Sequence, residues 1–490
     1  MSKYFPDIAG LFLLITYLVF LLLISDVFVA DGDTFWHIKA GNVMLENHAL
    51  LTHDIFSHTA INTPWTAHEW LSEIIMAGVH RLAGLEGVIV LFILLVSMTF
   101  WLLFRICEQI AGEKIALLCV SLALLFSGSH LTARPHLFTW LFLVLSLALL
   151  VSRSKWIYWL PLIMLCWANM HGGFVLGLLL QGIFIIGFFL CKRLEEHCAT
   201  GTILHQLKHP VIVLILSLVA VGINPFGYKL LLFPFHVTSN VFSANISEWL
   251  APDFQQFWYF RYFLVLLILL LSFRSIGISW KDRLLLLFFL NAALTHSRNI
   301  SLLLIVMAPG FAKLLQERLA IFQKRTISAH EPMQLSSKTG PAGVLALSFL
   351  LLLAGTIQPG ALTFLRPEKV FNVKTSELHQ LAAYLKEHRP QGNLFNNYSL
   401  GGYLLYELEH APRVFIDGRA DMYGEKIFKD YKQIVFNASQ REALLEKYRI
   451  NWIVFDKNSN LVYSLIQTKR WTLEYDREPY AVLTRKPIGL

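Results

Sequence analysis

Two carboxylates two residues apart, Asp31 and Asp33, follow the first apolar run of the sequence, residues 8–30. Like charges this close push one carboxyl's pKa up, which suits a general base, and hard divalent cations prefer such oxygens. The competing role is capping: an Asp ahead of a first helical turn satisfies its orphan amides. Position raises the pair above a chance Asp-x-Asp. The run before it is long enough to cross a bilayer, which takes about 20 residues. The carboxylates then sit at the membrane-water boundary, where they can act on the polar head of a lipid whose tail stays in hydrocarbon.

Other groups with chemistry fall at the same depth. In Thr66-Ala67-His68-Glu69, Thr66 and Glu69 have capping-box register, with Trp65 and Trp70 placed as a staple. His68 is freer to hydrogen-bond a phosphate or an acceptor. Three polar clusters stand at outer helix ends: His130 with Arg134-Pro135-His136, Trp167–Gly173 with Asn169 and His171, and His296-Ser297-Arg298-Asn299. Ionisable groups at membrane depth are costly and so often functional, although residues at a helix end can also simply reach interfacial water. Arg134, His136, Asn169, His171 and Arg298 share one membrane face with Asp31 and Asp33. Arginine suits bidentate phosphate recognition. A cleft lined by carboxylates, histidines and arginines fits a phosphate-linked leaving group. In the long loop 225–257, His236 and Glu248-Trp249 are further candidates.

The elements that must position these groups are membrane helices. Of the 490 residues 56% are hydrophobic and only 15% charged, with mean hydropathy +0.55, whereas soluble domains carry about 25% charged residues. The net charge of +8 does not indicate nucleic acid, because the basic residues lie scattered in short loops. Spans are predicted at about 8–30, 86–106, 115–128, 136–152, 156–169, 173–191, 210–224, 258–274, 282–296, 300–314 and 342–360, about eleven in all. Arg105, Lys114, Arg153, Lys155, Lys192, Arg193, Lys208, Arg274, Lys281, Arg283, Lys313 and Arg318 then fall in loops on the N-terminal side. The positive-inside rule puts the N-terminus in the cytoplasm and everything after about residue 360 outside. The five cysteines (Cys107, Cys119, Cys166, Cys191, Cys198) lie in spans or inner loops, so no disulfide framework holds the outer parts.

Within the first outer loop, 31–85, two amphipathic segments read as helices lying on the membrane. The first is 34–47, with Phe35, Trp36, Ile38, Val43, Met44 and Leu45 available to lipid. The second begins at Thr66. The tail, 370–490, reads as a small soluble α/β domain. It has a helix at 376–388, a strand at 392–398, a short helix at 401–409 and a strand at 413–417 ending in Asp417-Gly418-Arg419. A helix at 439–448, a strand at 451–456 and a hairpin over 471–485 complete it. Its motifs Asn396–Tyr403 and Asp417–Asp421 read either as turns or as a ligand site at strand ends.

Asp31-Gly-Asp33-Thr34-Phe35-Trp36-His37 and Trp65-Thr66-Ala67-His68-Glu69-Trp70 carry a resemblance to the GT-C superfamily of membrane glycosyltransferases. More narrowly, the chain resembles the bacterial branch of protein mannosyltransferases and aminoarabinose transferases. Trp167–Gly173 is similar to stretches of such proteins. The likeness covers residues 1–362, about three quarters of the chain. It implies a polyprenyl-phosphate-linked sugar donor and a glycan, lipid or protein acceptor. It also implies catalysis on the outer face of a bacterial inner membrane. By analogy Asp31 or Asp33 activates the acceptor hydroxyl in an inverting displacement, beside His68 and Glu69. Arg134, His171 or Arg298 neutralises the leaving phosphate, and His37, His136 and Asn169 line the substrate. A divalent cation such as Mg or Mn on Asp31 and Asp33 is permitted, not required. The Trp-Trp-Asp signature of oligosaccharyltransferases is absent from the tail, which argues against en bloc transfer to asparagine. The rival readings are a transporter or flippase of a lipid-linked or anionic substrate, and a non-catalytic membrane assembly or sensor protein with a binding tail.

Overall fold

A computed structural model describes the chain except for residues 1–6, 153–154, 235–245, 273–277, 323–339, 359, 371–372, 389–390, 409–412 and 487–490. Helices coincide with every predicted apolar run. They are α1 (Ile8–Leu23), α3 (Trp70–Ala111), α4 (Glu113–Phe126), α5 (His136–Ser152), α6 (Leu160–Met170) and α7 (Val175–Leu190). After these come α8 (Thr200–Val221), α9 (Trp258–Ser272), α10 (Trp280–Thr295), α11 (Asn299–Phe322) and α12 (Gly340–Ile357). Among the described residues, four helical stretches are both long and apolar enough to cross a membrane alone: Trp70–Ala111, Gly172–Glu195, Thr200–Val221 and Asn299–Ala320. The chain is an integral membrane protein.

The first apolar run is not one helix. It ends at Leu23, and a 3-10 turn, Ser25–Val29, carries the chain to Asp31. The second amphipathic segment is the start of α3, a 42-residue helix bent at Ala83 and Gly84, where Gly84 takes a φ of +69°. Only glycine adopts that conformation without strain, so the bend has a sequence cause.

The apolar face of α2 (Asp33–Asn47), expected to face lipid, is largely covered by protein. Phe35, Trp36, Ile38 and Met44 are buried. Phe35 packs edge-on to Tyr403 and Tyr406, ring centroids 5.3 and 5.2 Å away, on the tail helix α14 (Gly401–Glu407).

The tail carries a four-stranded sheet in the order β3 (Asn393–Asn396), β4 (Ile450–Asp456), β6 (Tyr480–Arg485), β5 (Trp471–Arg477). The β3–β4 pair is parallel and the others are antiparallel; a short β1–β2 pair (Lys369–Val370, Val373–Lys374) precedes them. Helices α13 (Thr375–His388), α15 (Ala420–Phe436), α16 (Ala438–Lys447) and α17 (Asn460–Gln467) complete it. The predicted strand at 413–417 is absent. The backbone of Val414 instead exchanges hydrogen bonds with Phe56 and His58 of the first loop. Phe415 N–H donates to the Asn396 side chain, and Thr59 donates to the Phe415 carbonyl. An apolar run whose main-chain groups are satisfied this way has no need of a ladder.

Candidate active site

The Asp31-Gly32-Asp33 turn sits at the start of α2. Asp31 Oδ1 accepts the Asp33 amide at 3.0 Å, so Asp31 does serve the local backbone. Its other oxygen accepts from Arg134 Nη1 at 2.7 Å, while Arg134 Nη2 lies 2.9 Å from Asp33 Oδ2. One guanidinium therefore bridges both carboxylates. Asp33 Oδ1 accepts from Trp36 Nε1 at 3.0 Å, one turn along α2. Burial pushes the Asp33 carboxyl up to about 7; Arg134 and Trp36 oppose the rise, and Asp31 and Glu248 add to it. Burial also works against charge on Arg134, but Asp33, Asp31, Glu248 and Glu69 outweigh it and hold the guanidinium firmly protonated.

Glu248 links this pair to the second arginine. Its carboxylate lies 3.7 Å from Arg134 Nη1 and 3.4 Å from Arg298 Nη1. Burial alone would raise its pKa, yet Arg134 and Arg298 bring it down to about 2. Arg298 stacks over Trp249, 4.5 Å from the ring centroid, and its amide donates to the Glu248 carbonyl at 3.1 Å. Arg134 has three carboxylate neighbours within 4 Å and Arg298 has one among the described residues. His236 lies outside the described residues.

A second group surrounds Glu69. No side-chain bond caps α3, so the capping box does not form. Glu69 Oε1 instead lies 3.3 Å from His171 Nε2 and 3.6 Å from His68 Nε2, with Oε2 3.7 Å from His37 Nε2. The His171 Nδ1 accepts from the Gly173 amide at 2.9 Å and pairs with Thr139 at 2.7 Å. These bonds assign the proton to Nε2, where it faces Glu69. Burial pushes Glu69 up to about 7, against the pull of Arg134 and Arg298. One turn along α3, Glu73 Oε1 lies 3.1 Å from His37 Nδ1. Trp65 packs beside Trp36, not Trp70, at 6.1 Å; Trp70 donates to Asn169 Oδ1.

Two expected site residues, Asn169 and His136, make hydrogen bonds within the protein. The Asn169 amide donates to the Leu165 and Ile223 carbonyls as well as accepting from Trp70, which braces α6 against α3 and α8. His136 Nε2 is bonded to the His130 carbonyl at 2.9 Å. The arrangement adds Glu73, to which sequence reasoning gave no role, and brings in Trp36, expected to face lipid, and Asp421, expected in a turn or a strand-end ligand motif. Glu73 stands four residues after Glu69, a helical neighbour, and that spacing was the available signal. Asp421, at the start of α15, is raised by burial and feels His68 and Glu69, a proximity no local pattern reveals.

For a divalent cation, the outer oxygens of Asp31 and Asp33 are both turned to Arg134, so a bridging guanidinium holds the place between them. His37, Glu69 and Glu73 each offer a donor, all within 4.8 Å of one another. Glu73 Oε2 is buried with no hydrogen-bond partner. This second group fits a cation better than the first.

The fold is shared with membrane transferases of known structure. The chain superposes on an oligosaccharyltransferase from Archaeoglobus fulgidus tethered to an acceptor peptide with a TM-score of 0.54, at 10% identity, over 93% of this chain and 70% of that one. It matches ArnT from Cupriavidus metallidurans bound to undecaprenyl phosphate with a TM-score of 0.51, at 14% identity and 97% coverage of both chains. The archaeal oligosaccharyltransferase AglB, in complex with an inhibitory peptide and a dolichol-phosphate, gives 0.50 at 10% identity, over 92% and 69%. No protein-family model and no curated protein matches the chain.

Proposed function

We propose that the protein transfers a sugar from a polyprenyl-phosphate donor to an acceptor at the outer face of a bacterial inner membrane. The observation that carries this reading is the Asp31–Arg134–Asp33 bridge with Asp33 raised to about 7, set in a fold shared with lipid-phosphate-binding transferases. A carboxylate poised near neutral pH suits general-base catalysis. Asp33 takes the proton of the acceptor hydroxyl as that oxygen attacks the anomeric carbon. The bond to the phosphate oxygen breaks, and the lipid phosphate leaves with the electron pair. Asp31 and Arg134 orient Asp33. Arg298, with a single long carboxylate contact among the described residues, is the guanidinium with capacity left for the phosphate. His171 presents Nε2–H, and Glu69 can hydrogen-bond a sugar hydroxyl. A cation bound at His37, Glu69 and Glu73 would add positive charge against the departing phosphate. The acceptor is a glycan, a lipid or a protein. The polar groups converge at helix ends rather than in broken helices at mid-membrane, which favours a transferase over a transporter.

The test is sugar transfer by purified protein in lipid nanodiscs, supplied with a panel of radiolabelled polyprenyl-phosphate sugars and a membrane and cell-wall extract as acceptor. Product that disappears in the Asp31→Asn, Asp33→Asn double variant supports the reading. A folded parent that transfers no sugar from any donor, or a double variant that still transfers, overturns it.

A further inference from the structure

Two tail segments close on the Asp31-Gly32-Asp33 turn, and both contacts are made by glycine. A Cβ placed on Gly418 would stand 1.7 Å from Asp33 Oδ1 and 2.8 Å from Trp36 Nε1. One on Gly402 would stand 2.3 Å from the Gly32 carbonyl oxygen and 3.3 Å from Trp36 Cδ1. Neither glycine has a positive φ, so what demands glycine is space rather than backbone conformation. The tail's main chain therefore lies directly against the carboxylate and its indole partner.

What holds it there is a buried clamp. Arg419 is 1% exposed. Its Nε and Nη2 donate to Asp417 at 2.9 and 2.6 Å, and its Nη1 crosses to Asp54 of the first outer loop at 2.8 Å. Tyr423 donates to the same Asp417 carboxylate at 2.7 Å. The guanidinium lies over the rings of Phe56 and Trp65 of the first loop, 4.9 Å from each centroid. Asp54 is itself fixed by the amides of Phe56 and Ser57 and the Ser57 hydroxyl. A charged pair this deep is not needed for stability alone, since apolar packing serves as well or better. It does fix one register between two surfaces.

We infer that the Asp417-Gly418-Arg419 turn of the tail is a positioning element of the catalytic centre, locked to Asp54 so that Gly418 holds the Asp33 carboxylate in its working orientation. This rests on the reading of Asp33 as the base. It makes the tail part of the site and not an appended binding module. The tail carboxylate Asp421 follows two residues on, beside His68 and Glu69.

The experiment uses the full chain in nanodiscs with two variants. Gly418→Ala adds one methyl against Asp33; Asp54→Asn loosens the clamp without adding bulk, should the alanine variant misfold. Displacements of about 1 Å cost about 100-fold in rate, so kcat is expected to fall about 100-fold in either variant, with donor KM within about threefold of the parent. In Asp54→Asn the acid limb of the pH–rate profile moves to lower pH, because water reaches Asp33. A merely structural role would leave that limb in place. A second readout needs no turnover: the part of the melting-temperature change between pH 4 and 8 that Asp33→Asn abolishes should shrink in Asp54→Asn. It remains informative if no donor supports transfer, so failure of the transferase reading and failure of the clamp are told apart. Parental kcat and acid limb in both variants, or an unchanged melting profile in Asp54→Asn, overturn the inference.

Discussion

Removing Arg134 gives the sharpest test of how the site is tuned. Arg134 is the largest opposing influence on Asp33, whose carboxyl burial pushes up to about 7. At pH 7 about half of Asp33 is ionised in the parent. An opposite charge at hydrogen-bond distance lowers a carboxylate by about 1–3 pKa units, so its loss in Arg134→Gln raises Asp33 by that much. The ionised fraction at pH 7 then falls to between about 0.1 and 0.001, a loss of about 5- to 500-fold, or about 1–4 kcal/mol. The assay is kcat/KM for donor across pH 6 to 10. The sign follows from the base needing to be charged: the acid limb moves to higher pH, and activity returns as pH rises past the new limb. A loss of equal size at every pH would mean that Arg134 binds substrate instead of tuning Asp33. An unmoved acid limb with full activity would refute the reasoning altogether.

Three further outcomes follow. Asp31→Asn removes a repelling charge from beside Asp33, so its acid limb should move to lower pH, opposite to Arg134→Gln; a shift upward would contradict the bridge. Glu69 is raised by burial from the ordinary 4.5 to about 7, so in the parent its stabilising contribution is full below about 4.5 and is lost as pH rises through about 7. Glu69→Gln lacks that loss, and its melting advantage over the parent should grow across this window towards about 3 kcal/mol; equal melting profiles would contradict it. Phe35→Ala empties a buried site between α2 and the tail helix α14 and should cost about 3–5 kcal/mol. Its readout is thermal unfolding, with faster proteolysis of the tail as the local sign.

The membrane class was written in composition, because runs of apolar residues long enough to cross a bilayer have no other stable solution. Each such run holds a helix, although the first ends at Leu23, short of its predicted limit, since helix formation in hydrocarbon satisfies every backbone group within the segment. The carboxylates Asp31, Asp33 and Glu69 and the arginines Arg134 and Arg298 were visible as costly charges at helix ends. Their shared depth was legible, but their pairing was not: Asp31 and Arg134 are 103 residues apart in sequence and meet at 2.7 Å. Tertiary structure alone decided that one guanidinium spans both aspartates and that Glu69 faces three histidines instead of capping its helix. The apolar face of α2 looked like a lipid surface, because hydropathy does not distinguish a bilayer from a protein neighbour. Only the fold shows that the tail covers it. The strand expected at 413–417 was misread for a related reason: its hydrogen-bond partners lie in the first loop, more than 350 residues away. Local pattern sets which elements form; burial and long-range contact set which charges lose their water, and so which carboxylates are held near pH 7.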